Sequence, residues 1–266
     1  MTRRLTAFAS FHGDPDLPAY IRYHLAALRP FSDCLVFVSN SPVSASGKDF
    51  LASIGCEFLQ RENTGFDFAA WRDGLDKFPT EDFDEILLTN SSIIGPVRDL
   101  SSVFAQMKPF DGDFWGLTTS FGGGRKHLQS FFLVFRKPLI TSRAWADWWR
   151  NIEDLHDKNE VIRRYEIPLY RYFEKAGFSG SSFISPPRKR EMTRPFLRKR
   201  EGTLPVVPAM RYWTNVTIHS PVELVQQGFP YVKASLIWGH NRRQGIDLAR
   251  LQQMPDLSYD WDIIQP

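Results

Sequence analysis

Four short apolar runs, each separated from the next by a stretch with helical spacing, restrict this chain to an α/β sheet of parallel strands. Leu5 to Phe11 reads as a buried strand that His12-Gly13-Asp14-Pro15 brings to an end. Tyr20, Ile21, His24, Leu25 and Leu28 then recur on one face of a helix, which Pro30 closes. Cys34 to Val38 is the second strand, β-branched and aromatic, with Ser39-Asn40-Ser41-Pro42 as its polar end. A short helix near Lys48 to Ile54 leads through Gly55 to a third strand, Cys56 to Leu59. The next helix, about Phe66 to Lys77, turns Phe68, Trp71 and Leu75 to the core, and Glu85 to Leu88 is the fourth strand. Strands joined by helical crossovers lie parallel, and the helices cover both faces of the sheet.

The second half is less periodic. Asp113 to Leu117 and Ser130 to Arg136 read as strands on either side of Gly122-Gly123-Gly124, a loop that either closes over a ligand or merely joins them. Trp145 to Ile152 is an aromatic-rich helix whose Trp145, Trp148 and Trp149 suit packing better than sugar stacking. Glu160 to Ala176 reads as helical with an interruption at Pro168, which sets Glu166 close to a helix start. From Ser179 to about Pro208 the texture changes: Arg188, Lys189, Arg190, Arg194, Arg198, Lys199 and Arg200 surround Pro186, Pro187 and Pro195 with no helical stripe. This reads as a basic loop, either solvated surface or an attraction for anionic phospholipid heads or a diphosphate-linked acceptor. Val222 to Gln227 then gives a helix capped by Gly228, and Tyr231 to Leu236 an extended segment. The expected organisation is a nucleotide-sugar-binding core over 1–180, a basic loop or linker over 181–210, and an extension over 211–266 that packs on the core.

At 266 residues, 42% hydrophobic and 24% charged, the chain can bury one large core with an appendage. A formal charge of +3 is too small for a dedicated polyanion binder. No aromatic residue beyond Phe196 interleaves the basic run, so no nucleic-acid partner is expected. Cys34 and Cys56 each lie beside a core strand and read as small buried hydrophobes in a reducing compartment, not as a disulfide or a zinc site. No apolar stretch approaches the roughly 18 to 20 residues that span a bilayer, and a cytoplasmic location is expected.

Two polar segments converge on this framework. Thr89-Asn90-Ser91-Ser92 abruptly ends the apolar Ile86-Leu87-Leu88, and Asn63-Thr64-Gly65-Phe66-Asp67 opens the helix leading to that same strand. An open α/β sheet builds its nucleotide crevice from such tips, at the carboxyl ends of its strands. Asn63, Gly65 and Asp67 suit a base or ribose pocket, glycine admitting close backbone approach while the amide and carboxylate bind hydroxyls. The alternative is an ordinary helix cap by Thr64 or Asp67. Ser10, Phe11 and His12 after the first strand and Asn40 after the second are further candidates by position.

Six ordered blocks carry a resemblance. They are Arg61 to Asp67, Leu88 to Pro96, Asp113 to Gly116, His127 to Phe132, Tyr165-Glu166 with Ala176-Gly177-Phe178, and Asn215 with Gln227 to Lys233. In these blocks the chain resembles the rhamnan synthesis protein F family of polysaccharide-building glycosyltransferases. The resemblance implies a GT-A-like fold and transfer of rhamnose, typically from dTDP-rhamnose, to a lipid-linked glycan. It implies Glu166 as the base that deprotonates the acceptor, where residue type alone would read a surface glutamate favoured by a helix dipole. His127 and Arg125 are candidates for stabilising the departing diphosphate from the glycine-rich loop, against a structural reading of a lone histidine beside a strand. Asn90, Ser91 and Ser92 occupy the place of a carboxylate metal motif, and Ser91 stands where the family commonly has aspartate. Hard cations prefer carboxylate oxygens, so Ser91 weakens the case for Mg²⁺ or Mn²⁺ and leaves Asp67 as the acid to hold one. The same departure motivates a second reading, a noncatalytic subunit that binds a nucleotide sugar or glycan.

Overall fold

The computed structural model describes residues 2–122, 125–185, 215–238 and 246–264. Its framework is an eight-stranded mixed sheet. In chain order the elements are β1 (Arg4–Ser10), α1 (Ala19–Leu28), β2 (Cys34–Ser39), α2 (Ala45–Ser53), β3 (Glu57–Gln60), α3 (Phe66–Leu75), β4 (Glu85–Asn90), β5 (Ile93–Ile94) and α4 (Leu100–Met107). There follow β6 (Phe114–Gly122), β7 (Arg125–Leu128), β8 (Phe132–Arg136), α5 (Lys137–Ile140), α6 (Arg143–Arg150), α7 (Lys158–Val161), α8 (Ile167–Lys175) and β9 (Gly180–Ile184). The C-terminal part adds α9 (Val216–His219), α10 (Pro221–Gln226), β10 (Val232–Lys233) and α11 (Leu248–Gln252).

The strands run β3-β2-β1-β4-β8-β6-β7, with β9 beside β6. The first four are parallel, β8 is antiparallel to both β4 and β6, and β9 is parallel to β6. From β1 the chain steps outward to β2 and β3, then returns to the other side of β1 as β4. That reversal is the switch point at which such sheets open a crevice. The expected α/β sheet with helices on both faces is what the chain forms.

Side-chain alternation explains why both faces are covered. Phe8, Leu35, Phe37, Leu87, Phe132 and Val134 point to one face, against α1, α4 and the C-terminal segment. Leu5, Ala7, Ala9, Val36, Val38, Ile86, Leu88 and Phe135 point to the other, against α3, α6 and α8. The helix face expected over α1 is the buried one, including Tyr20, Ile21, His24, Leu25 and Leu28. Trp145, Trp148 and Trp149 are buried in the second cluster, so the packing reading of that helix holds. The segment after residue 214 lies against the first cluster through Val216, Val225, Phe229, Tyr231 and Trp261. Cys34 and Cys56 are free thiols.

Three expectations need correction. The strand read at Ser130 starts at Phe132, and a separate strand, β7, lies before it; the polar sequence Arg125-Lys126-His127 hid it. Strands pair on either side of the glycine stretch, Phe121 with Lys126 and Gly122 with Arg125, in keeping with its joining reading, and Gly123 and Gly124 lie outside the described residues. Pro168 does not interrupt its helix: it occupies the first turn of α8, where its missing N–H breaks no intrahelical bond, and a one-turn π segment at Ile162–Glu166 joins α7 to α8. The start of the segment read as a basic loop from Ser179 is a strand: Gly180–Ile184 is β9, polar and without apolar alternation, and it pairs with β6. Arg188 to Arg200 lie outside the described residues.

Candidate functional site

At the carboxyl end of β4 the polar tip is held from behind. Thr89 is fully buried, its hydroxyl donating to the Phe131 carbonyl at 2.8 Å while its own carbonyl accepts from Trp71 Nε1 at 2.9 Å. Asn90 therefore projects in a fixed direction, and its Nδ2 donates to Asp67 Oδ2 at 2.9 Å. Its Oδ1 accepts from the Ser92 amide at 3.1 Å and from the Ser92 hydroxyl at 2.6 Å. The tips of α3 and β4, 23 residues apart in sequence, are thus one hydrogen-bonded unit. Asp67 does not cap its helix: the cap position is Gly65, and no side chain bonds there.

A lysine completes the unit. β10 pairs antiparallel with β5, bringing Lys233 opposite Ile93, and the Ala234 amide donates to the Ser92 carbonyl at 3.0 Å. Lys233 Nζ donates to Ser92 Oγ at 3.2 Å and lies 4.2 Å from the centroid of the Phe131 ring. Burial pushes the Lys233 ammonium down to about 8, while the negative charges of Glu166 and Asp67 act to raise it. Burial likewise pushes the Asp67 carboxyl up to about 6, opposed by the charges of Lys158 and Lys233 and by the Asn90 hydrogen bond, and reinforced by Glu166. Glu166 is therefore close enough to Lys233 and Asp67 for its charge to act on both.

Glu166 sits on the last residue of the π segment, its side chain 18% exposed, with Oε1 3.9 Å from Nε2 of the buried His127 on β7. π segments displace side chains from α-helical positions and recur at functional sites. Tyr165 faces inward, its hydroxyl accepting from the Glu153 amide at 3.0 Å, which leaves Glu166 directed at the hairpin.

The wall at β1 is made by backbone and small polar groups. The Ser91 hydroxyl accepts from the Phe11 amide at 3.4 Å, and the Ser91 carbonyl accepts from Tyr20 OH at 3.2 Å. His12 Nδ1 is 3.2 Å from Ser10 Oγ and 3.3 Å from Ser41 Oγ, and burial lowers its proton affinity despite the charge of Asp14. Its Nε2 is buried without a partner among the described residues.

A divalent cation fits these groups poorly. Asp67 is the carboxylate on the tip unit, already engaged by Asn90 and with a raised proton affinity, and beside it stand the hydroxyls of Ser91 and Ser92 and the ammonium of Lys233. Mg²⁺ and Mn²⁺ take harder, anionic oxygen sets, and a like charge held at Ser92 repels them.

A family model described as Rhamnan synthesis protein F matches residues 35–204, more than half of the chain. The chain belongs to the rhamnan synthesis protein F family. Its curated relatives include the protein named Virulence protein VirA from Vibrio anguillarum, 26% identical over 195 residues, covering 68% of this chain and 62% of that protein. Another is the Sinorhizobium fredii protein named Uncharacterized protein y4gN, 28% identical over 157 residues, covering 57% of this chain and 41% of the relative. The chain thus spans less than two thirds of the length of these family relatives. Solved structures with a similar chain course include glucosyl-3-phosphoglycerate synthase from Mycobacterium tuberculosis, at 12% identity and TM-score 0.42, covering 79% of this chain and 77% of the other. A cytidylyltransferase from Leptospira borgpetersenii aligns at 14% identity and TM-score 0.41, covering 72% and 78%.

Of the family residues expected at the site, Asp67, Asn90, Ser92, Glu166 and His127 come together with Lys233. Ser10, His12 and Ser91 line the neighbouring β1 wall. Asn40 is taken up by structure: its Nδ2 donates to the Phe66 carbonyl at 3.3 Å, and its Oδ1 accepts from Arg61. Asn63 is exposed on the turn. Gly65 is required for a different reason from the one its motif suggests. Its φ is +63°, and a Cβ there would meet Ala69 Cβ at 2.3 Å and the Glu153 carbonyl at 3.1 Å, so the close approach is of chain to chain. The Arg125 side chain lies outside those described. Sequence reasoning passed over Lys233 as a site residue, although a lysine inside the apolar stretch Phe229 to Leu236 was the available signal.

Proposed function

We propose that this chain is an inverting glycosyltransferase that moves a hexose from a nucleoside diphosphate to an acceptor hydroxyl. The observation that carries the proposal is the joining of Asp67, Asn90, Ser92 and Lys233 at the switch point, under the charge of Glu166. The acceptor oxygen forms its bond to the anomeric carbon and its proton passes to the Glu166 carboxylate. The bond between that carbon and the donor phosphate oxygen breaks, and its electron pair leaves on the diphosphate. His127, 3.9 Å from Glu166, orients that carboxylate. The Ser91 hydroxyl, held by the Phe11 amide, closes the site on its β1 side.

Family membership supports rhamnose as the sugar, dTDP-rhamnose as the donor and a growing lipid-linked saccharide as the acceptor. A cytoplasmic site of action, with the basic run Arg188 to Arg200 drawn to anionic headgroups at a membrane surface, accords with this; no helix among the described residues is long and apolar enough to cross one.

Glu166→Gln is the test. It keeps the side-chain shape, and the proposal expects kcat for transfer to drop about 10²- to 10⁴-fold with donor binding retained. A folded variant with unaltered turnover removes Glu166 from the mechanism. Donor binding by the wild type with no transfer across lipid-linked and simple acceptors favours the noncatalytic binding reading, for which Ser91 is the argument.

A further inference from the structure

Lys233 is a cation placed among hydroxyls. It arrives on a two-residue strand whose register is set by β5 and by the Ala234 amide on the Ser92 carbonyl, so its position is built by backbone pairing. Nζ spends one donor on Ser92 Oγ and presents a second face to the Phe131 ring. No carboxylate of the described residues lies within 4.0 Å of it, although Asp67 and Glu166 are near enough for their charges to act on it. A half-buried ammonium without a contacting anion is costly to the fold, and such costs concentrate where a ligand supplies the missing partner.

The chemistry of that ligand follows from the surroundings. The cation sits at the carboxyl end of β4, beside the switch point, where the phosphates of a bound nucleotide lie in sheets of this kind. Its contact Ser92 and the Asn90 side chain behind it offer hydrogen bonds without charge, while the carboxylates of Asp67 and Glu166 stand farther off. Resting on the glycosyltransferase reading, we propose that Lys233 binds the diphosphate of the donor and neutralises the charge it gains on leaving, so that this chain needs no divalent cation for donor binding or transfer. An ammonium at 3.2 Å from Ser92 Oγ sets a positive charge beside any cation that Ser92 and its neighbours would hold, and like charges repel. Preorganised positive charge aimed at the departing oxygen acts without a metal's coordination sphere.

The experiment measures binding of dTDP, UDP, GDP and CDP to the full chain by calorimetry, in EDTA and in Mn²⁺, with the parent nucleosides alongside. The expected result is that at least one nucleoside diphosphate binds with the same affinity, within about two-fold, under both conditions. Lys233→Met should weaken that binding at least 10-fold, leave the parent nucleoside's affinity unchanged and retain a cooperative unfolding transition, while Lys233→Arg should restore most of the loss. Binding that requires Mn²⁺, or that Lys233→Met leaves intact, overturns the lysine's role and leaves the donor reading standing. Failure of all four diphosphates to bind under either condition overturns both. Should Lys233→Met not fold, Lys233→Arg and the EDTA arm on the wild type decide: metal-dependent binding by either protein refutes the assignment.

Discussion

At the scale of single residues, the site holds two charges that folding disfavours. Asp67 takes up a proton more readily in the folded chain than its ordinary value of 3.8 would have it, at about 6. The folded state then binds more protons than the unfolded one between those values, so stability falls as pH climbs from about 4 through about 6. Lys233, at about 8 in place of 10.5, contributes the opposite slope, with stability rising as pH goes above 8. Asp67→Asn should flatten the acid limb, with a gain at pH 7 of at most about 3 kcal/mol, since every tenfold change in proton affinity corresponds to about 1.4 kcal/mol. Urea unfolding at a series of pH values between 4 and 8 measures it, and an acid limb as steep as that of the wild type contradicts the assignment. Asn90 was legible in the sequence because a polar residue ending an apolar strand has few structural excuses, and Asp67 because it opens the helix that leads to that strand. Lys233 was not, because its partner Ser92 lies 141 positions earlier and nothing local records a pairing of two-residue strands.

Among elements, the turn before α3, the 151–155 segment and the helix bearing Glu166 form one mechanical train. Gly65 donates its amide to the Leu155 carbonyl at 2.7 Å, and Tyr165 OH accepts from the Glu153 amide. Arg72 adds an ion pair to Asp154 at 3.1 Å and a bond to the Ile152 carbonyl at 2.7 Å. Gly65→Ala should cost about 1–3 kcal/mol or more, from a strained φ together with the clash at Ala69, seen as a lower urea midpoint. A midpoint unchanged by that substitution would mean the turn is not held as described. Tyr165→Phe removes the acceptor of a backbone N–H and should cost about 1–3 kcal/mol, with a larger loss in kcat than in donor affinity as Glu166 loses its bearing. The helices on either side of this train were readable from periodicity, α1 and α3 down to their buried faces. The π segment was not, since it depends on how Tyr165 and Glu166 divide between core and hairpin, which local spacing does not encode.

For the molecule as a whole, the parallel half of the sheet was evident because strand and helix alternate there at regular length. The antiparallel half was harder: β7 carries basic residues and β9 small polar ones, and both are strands only because β6 offers an edge to each. The C-terminal segment does more than cover the sheet, since Val225, Phe229, Tyr231 and Leu236 enter the same core as Phe8 and Leu25. Each such side chain contributes about 1.5–3 kcal/mol on burial, so a chain cut after residue 214 should lose more stability than a typical domain possesses. The expected outcome is a product without a cooperative thermal transition, checked by calorimetry, whereas a cut chain that melts sharply near the wild-type temperature would show an independently folding N-terminal unit.

The two-residue pairing of β10 with β5 has a consequence for synthesis. Asp67 and Asn90 leave the ribosome more than a hundred residues ahead of Lys233, so the nascent chain carries a half-built cleft until the lysine has followed. On the proposed role of Lys233, nucleotide capture begins abruptly once the lysine docks; stalled chains ending before residue 233 would pass through the cell without sequestering donor.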